Sequence, residues 1–325
     1  MSLRQPPVYR APRWLPGGHL QTLYPYLLRR LPGPRYKRVQ WNTPDGDFIE
    51  VDWLPGPDDA PLVILFHGLE GDSRSHYARA LLQALRARGW CGAVAHFRGC
   101  SGTPNRLPRA YHSGDHAEIN WILRRFADEH PHAARFAVGV SLGGNALLKW
   151  LAATRLEAAN IILAAAAVSA PMDLSATGHI LGQGFNRLYT RHFLQTLKPK
   201  FLAKLARFPG LYDGAALARA RNLYEFDNVV TAPLHGFRDT EDYWTSASSK
   251  PDLPSIALPT LILNARNDPF HPGHNLPDAS EVSSQVRLDF PDEGGHVGFV
   301  SGTFPGNLDW VPARLLAFFD EILRA

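Results

Sequence analysis

Gly139-Val140-Ser141-Leu142-Gly143 sets a serine between two glycines at the end of an apolar run, and a helix-forming stretch follows it directly. A serine on a sharp strand-to-helix turn needs small neighbours, because the strained backbone brings flanking residues close to one another and to the helix. Gly139, Gly143 and Gly144 supply them. An alcohol is a poor nucleophile at neutral pH, so serine chemistry requires a base, and the base requires a third group to fix its tautomer. Among the 14 histidines, His296 in EGGHVGF is the expected base, since it follows VRLDF and precedes the last helix. A loop there returns to the C-terminal edge of a sheet, the edge where α/β sites assemble. Asp268 in NARNDPF lies just beyond TLILNA, so its carboxylate is expected at the same edge. Asp239, Glu241 and Asp242 compete as acids but fall in a segment without strand signals, and Asp292 is so close to His296 that it reads as a loop residue.

A tetrahedral intermediate places negative charge on the former carbonyl oxygen, and losing one N–H donor to it costs on the order of 100 to 1,000-fold in rate. The expected donors are the N–H of Leu142, next to the serine, and that of Leu69 in His67-Gly68-Leu69-Glu70-Gly71, where Gly68 allows close approach. His67 itself reads as a histidine that braces its loop. His112 and His116 in HSGDHAE have helical metal-ligand spacing but no third ligand, and read as polar residues at a helix start. No metal and no organic cofactor is called for.

The elements that must position these groups alternate. Around Pro44-Asp45-Gly46, KRVQWNT and DFIEVDW predict an antiparallel hairpin. PLVILF (residues 61–66) predicts a strand buried on both faces, followed by a helix over 77–88, a strand over 91–97, a helix over 115–129 and a strand over 135–140. A helix over 142–153 and a strand over 161–170 continue the rhythm, which resumes later with strands at 260–265 and 286–290 and a closing helix over 311–323. Strand–helix alternation implies a mostly parallel central sheet with helices on both faces. Residues 172–254 lack strong strands and predict a helical lid insertion between core segments 37–171 and 255–325. Residues 1–36 predict an N-terminal arm packed on the core, with a short amphipathic helix carrying Leu20, Leu23, Leu27 and Leu28.

Composition bounds the function classes. The chain has 325 residues, 45% hydrophobic and 20% charged, enough apolar material for a sizeable core. A net charge of +4 and a pI near 9.1, spread without a basic run, give no footprint for nucleic acid. Cys91 and Cys100 fit neither a disulfide framework nor a zinc pattern and read as free thiols. The first residues lack the apolar core of a secretory signal, and no apolar stretch approaches the ~18 residues of a membrane span. A soluble, cytoplasmic protein without stable membrane insertion is expected, its oligomeric state left open.

Taken together, GGHLQTL (17–23), FHGLEG (66–71), HFRGCSG (96–102), YHSG (111–114), VSLGGN (140–145), NDPF (267–270) and GGHVGF (294–299) resemble the YheT-like branch of the α/β-hydrolase superfamily. That group comprises predicted esterases related to eukaryotic α/β-hydrolase-domain lipases and yeast medium-chain ester synthases, and the likeness covers nearly the whole chain. It implies an α/β-hydrolase fold, a triad of Ser141, Asp268 and His296, and hydrolysis of short- or medium-chain acyl esters as small-molecule substrates. The eukaryotic relatives carry an N-terminal membrane anchor and this sequence shows none, so direct work on phospholipids is not expected. The triad does not explain GGHLQTL and HFRGCSG, which read as braces for the surrounding loops, with Arg98 paired internally. Acyl transfer to an alcohol, amide hydrolysis and non-catalytic ligand binding on the same fold stay open alternatives. Apolar lid residues such as Phe185, Tyr189, Phe193 and Trp244 suit an acyl site and core packing equally.

Overall fold

The structure, a computed structural model, describes residues 8–27 and 33–325. Helix α1 (Gly18–Leu27) follows the Gly-Gly pair, but not with the face its leucines suggest. Leu20 and Leu27 are exposed, whereas Gln21, Thr22 and Pro25 are buried. Leu28 lies outside the described residues. Polar atoms hold this helix to the core, for a reason that emerges below.

The Asp45-Gly46 turn closes a hairpin of β1 (Lys37–Asn42) and β2 (Phe48–Leu54), with Gly46 at φ 85° and its N–H donating to the Thr43 carbonyl at 3.0 Å. Strands β3 (Leu62–Phe66), β4 (Cys91–Ala95), β5 (Arg135–Val140), β6 (Ala164–Val168), β7 (Thr260–Leu263) and β8 (Val286–Asp289) complete one sheet in the order β1-β2-β4-β3-β5-β6-β7-β8. The hairpin is antiparallel and meets β4 antiparallel; all other neighbours run parallel. β6 is shorter than its apolar run predicts. Ile161 and Ile162 remain tied to Ala158 by backbone bonds at the end of a 3₁₀ turn, so pairing begins only at Ala164.

Period-two alternation sends the central strands' side chains to two cores. Val63, Leu65, Val94 and Val138 pack beneath α2 (His76–Ala87), while Ile64, Phe66, Ala93 and Ala137 pack beneath α3 (His116–Glu129) and α4 (Leu142–Thr154). The alanines of β6 let α4 approach the sheet closely.

After β6 the chain forms helices α5 (Leu174–Leu181), α6 (Arg187–Arg207), α7 (Gly214–Arg219), α8 (Leu223–Phe226), α9 (Ala232–His235) and α10 (Thr240–Ala247). They share two small apolar clusters of their own, one around Leu197, Phe201 and Leu217, the other around Leu174, Tyr243 and Trp244. Helix α11 (Trp310–Arg324) then closes the core beside α2. The described part of the N-terminus lies on this face, where the Tyr9 hydroxyl donates to the Val300 carbonyl at 2.8 Å and the ring meets Phe299 and Trp310 edge-on. No helix among the described residues is long and apolar enough to cross a membrane.

Candidate active site

β5 delivers Ser141 to the C-terminal edge of the sheet on a backbone of φ 54° and ψ −122°, a region non-glycine residues rarely occupy. What holds it there is close packing of the turn on both sides. A Cβ at Gly139 would lie 2.4 Å from the Gly143 carbonyl oxygen, and one at Gly143 would lie 2.5 Å from that of His67, so both positions must stay bare. The Ser141 N–H donates to the Val168 carbonyl at 2.9 Å, fixing the turn to the neighbouring strand.

The loops after β7 and β8 bring the other two groups to the same edge. Ser141 Oγ lies 2.9 Å from His296 Nε2, and His296 Nδ1 lies 2.8 Å from Asp268 Oδ2. The other carboxylate oxygen, Oδ1, accepts the N–H of Phe270 at 2.8 Å and that of His271 at 3.4 Å, which fixes the carboxyl plane. Phe270 also stacks on the imidazole, with ring centroids 4.1 Å apart. With Nδ1–H donating to the carboxylate, Nε2 carries a lone pair toward the serine hydroxyl, the tautomer a general base needs. The competing acids lie elsewhere: Asp239 caps α10, Asp242 pairs with Arg238, and Asp292 faces solvent beside Arg266.

The loop after β3 leaves one amide open. Gly68 N–H donates to the Tyr77 hydroxyl, Glu70 N–H to the Tyr111 hydroxyl and Gly71 N–H to the Gly68 carbonyl, each at 2.9 Å. Leu69 N–H finds no protein acceptor among the described residues; nor does Leu142 N–H, which opens the first turn of α4, where helical amides lack intrahelical partners. A Cβ at Gly68 would sit 3.1 Å from Ser141 Cβ, so this loop lies directly against the serine. His67 braces it: Nδ1–H donates to the Gly68 carbonyl at 2.8 Å and Nε2 accepts the Phe97 N–H at 3.0 Å. Burial lowers its pKa to about 3, so the ring stays neutral.

Sequence reasoning missed the residues that seat His296. Thr22 Oγ1 accepts the His296 N–H at 2.8 Å, and Gln21 Oε1 accepts both the Gly294 N–H at 2.9 Å and the Asn267 side-chain amide at 3.0 Å. Asn267 Oδ1 in turn accepts the Gly295 N–H at 3.0 Å. Helix α1 therefore joins the Asp268 loop to the His296 loop, and this is why its polar face is buried. The signal was the GGHLQTL block itself, whose polar Gln-Thr pair interrupts an otherwise leucine-rich turn.

Arg98 is internal, 2.6 Å from Glu118, 2.8 Å from Asp45 and 3.1 Å from Asp47. His96 pairs with Asp52 at 3.0 Å, so HFRGCSG ties the hairpin and α3 to the sheet edge. His116 begins α3 as expected, but His112 lies before the helix start and lines the cavity above Ser141, its charge disfavoured by burial (pKa about 3). No group of three or more His, Cys, Asp or Glu among the described residues is arranged to hold a metal ion.

That cavity, of about 900 Å³ with its open mouth included, runs from Ser141 and His296 past Leu69 and Leu142 to the helices that follow β6. Trp244 and Phe193 line it, whereas Phe185 is exposed and Tyr189 packs against Phe270 from behind. Lys200 of α6 bonds Glu70 in the Leu69 loop at 2.7 Å, linking the two sides of the mouth.

A family model of the alpha/beta hydrolase fold matches residues 61–303. The chain is 41% identical over 314 residues to YheT, a candidate esterase of Escherichia coli (strain K12), covering 94% of this chain and 91% of that protein. It is 28% identical to phospholipase ABHD3 of Homo sapiens, over 90% of this chain and 73% of the relative. Among solved structures it shares its fold with Est1E from Butyrivibrio proteoclasticus, determined with ferulic acid bound (TM-score 0.59, 15% identity, 88% of this chain and 100% of the other), and with the Pyrococcus furiosus esterase Pf2001 (TM-score 0.57, 18% identity, 90% and 96%).

Proposed function

Because the chain belongs to the α/β-hydrolase family, we propose that it cleaves carboxylic esters through an acyl-enzyme, with Ser141 as nucleophile, His296 as general base and Asp268 as the group that orients it. The arrangement that carries this reading is the relay of 2.9 Å and 2.8 Å hydrogen bonds beside two unengaged amides. Ser141 Oγ attacks the ester carbonyl as its proton passes to His296 Nε2, and the oxyanion accepts hydrogen bonds from Leu69 and Leu142. Collapse of the intermediate breaks the bond to the alkoxy oxygen, which takes the proton from His296 and leaves as the alcohol. Water then attacks the acyl-enzyme, giving its proton to His296, and Ser141 recovers a proton as the carboxylic acid departs. The names of the relatives, esterase and phospholipase, are compatible with this chemistry.

The helices of residues 172–254 act as a lid whose apolar residues receive the acyl chain, while the described part of the N-terminal arm carries the helix that steadies the base. Free Cys91 and Cys100 support a reducing, cytoplasmic setting. A p-nitrophenyl ester series tests the substrate class. Burying one methylene is worth about 0.8 kcal/mol, so kcat/KM should climb roughly threefold to fourfold per carbon until the cavity fills, then fall. A profile that peaks at acetate would exclude an acyl site in the lid. Product analysis with added alcohol separates hydrolysis from acyl transfer.

Gln21→Leu tests the arm. It keeps the volume but strands the Gly294 N–H and the Asn267 amide, and removes the donor to the Leu15 carbonyl and Glu293, each unpaired group costing about 1–3 kcal/mol. We expect kcat to drop by roughly 10- to 100-fold with KM little changed, as follows from a base displaced by ~1 Å, and Gln21→Asn, which keeps an amide on a shorter side chain, to recover part of the rate. Equal losses in both variants, or a change in KM alone, would remove Gln21 from this positioning role.

A further inference from the structure

We infer that the active-site cavity carries a second recognition point at Asp227, which takes a hydroxyl borne by the ester substrate at a distance from the scissile bond. The inference rests on the ester reading above and deepens it. Where residues 172–254 line the cavity, its wall is mostly apolar, with Leu174, Leu181, Leu197, Phe201 and Phe226, and its polar members are Thr177, Thr231, Tyr243 and one carboxylate, Asp227. Thr231 Oγ1 donates to Asp227 Oδ1 at 2.6 Å and Trp244 Nε1 donates to Oδ2 at 2.9 Å. The carboxylate and both of its donors line the cavity.

Among the described residues no Lys or Arg lines this cavity, and Asp227 is its sole carboxylate. Burial without a cationic partner pushes its pKa up to about 6. An acid in such a place opposes folding unless it is satisfied, and a pocket meant only for hydrocarbon would be served better by leucine. Asp227 also opens a π-helical turn, Asp227–Thr231, inserted between α8 and α9. Such insertions are frequent at functional sites. Each carboxylate oxygen accepts one bond here and has capacity for another.

A hydroxyl meets that capacity in either protonation state: it donates to the carboxylate, and it can accept from the acid. It also enters an apolar chamber at modest desolvation cost. An ammonium would surrender far more hydration for one acceptor group and leave its remaining N–H bonds unmet.

The test measures binding, so that it stands apart from turnover. In the Ser141→Ala background, calorimetry compares p-nitrophenyl alkanoates with their ω-hydroxy counterparts across chain length, and a second arm compares acetates of alkanols with monoacetates of alkanediols. The first arm reports a hydroxyl on the acyl side, the second one on the alcohol side. At one chain length in one arm the hydroxylated member should bind about tenfold tighter, the value of a hydrogen bond to a charged group after desolvation. Asp227→Leu should erase that preference and leave the plain ester bound as well or better. A ratio near one at every length in both arms overturns the proposal, as does a preference that survives Asp227→Leu or a stronger one for ω-ammonium esters. Should Asp227→Leu not fold, Asp227→Asn takes its place and should weaken the preference, whereas an undiminished preference overturns the proposal. If wild type hydrolyses no ester, the ester reading fails, while the binding ratio still reports on Asp227.

Discussion

Ser141→Ala is expected to lower kcat for ester substrates by about 10⁴- to 10⁶-fold, the loss that follows when the nucleophile of a coupled triad is removed. The residual rate would come from the oxyanion donors and from binding, which the substitution leaves in place. Folding should survive. The Oγ makes its hydrogen bond to His296 alone, and the turn is held by the backbone bond to Val168 and by the glycine contacts. The checks are a melting temperature close to wild type and the absence of an acyl-enzyme burst in rapid-mixing experiments. Retained turnover would remove Ser141 from its assigned role.

Asp268→Asn should cost about 10⁴-fold in kcat with little change in KM. The reason is local. The amides of Phe270 and His271 both point at Oδ1, so an asparagine places its carbonyl oxygen there and turns its NH₂ toward His296. Facing a donor, Nδ1 gives up its proton, Nε2 takes it, and the imidazole presents N–H to the serine where a lone pair is needed. Nitrogen NMR of the imidazole should report this reversed tautomer, and a wild-type pattern with wild-type kcat would show that Asp268 does not orient the base.

The sheet was legible because buried parallel strands read as unbroken apolar runs, so PLVILF and RFAVGV announced their burial without any knowledge of partners. Ser141, Asp268 and His296 could be singled out for a related reason: each follows such a run or the loop beyond it, and parallel topology collects those ends at one rim. Gln21 and Thr22 could not be found this way. Their partners lie more than 240 residues along the chain, and the leucines around them suggested that the opposite face of α1 is buried. Asp227 was hidden likewise, since a carboxylate between Glu225 and Asn228 looks like surface until folding brings Trp244 to meet it.

Helix α1 has a consequence for biosynthesis. Gln21 and Thr22 are synthesised more than 240 residues before Asn267, Gly294 and His296, to which they bond. A nascent chain therefore carries Ser141 through more than a hundred residues of synthesis before the imidazole of His296 has been made, and the Thr22 bond of the helix waits for it. On the proposed roles, the base reaches Ser141 only once the segments around residues 22 and 296 have met, so a chain that stops short of His296 lacks the relay.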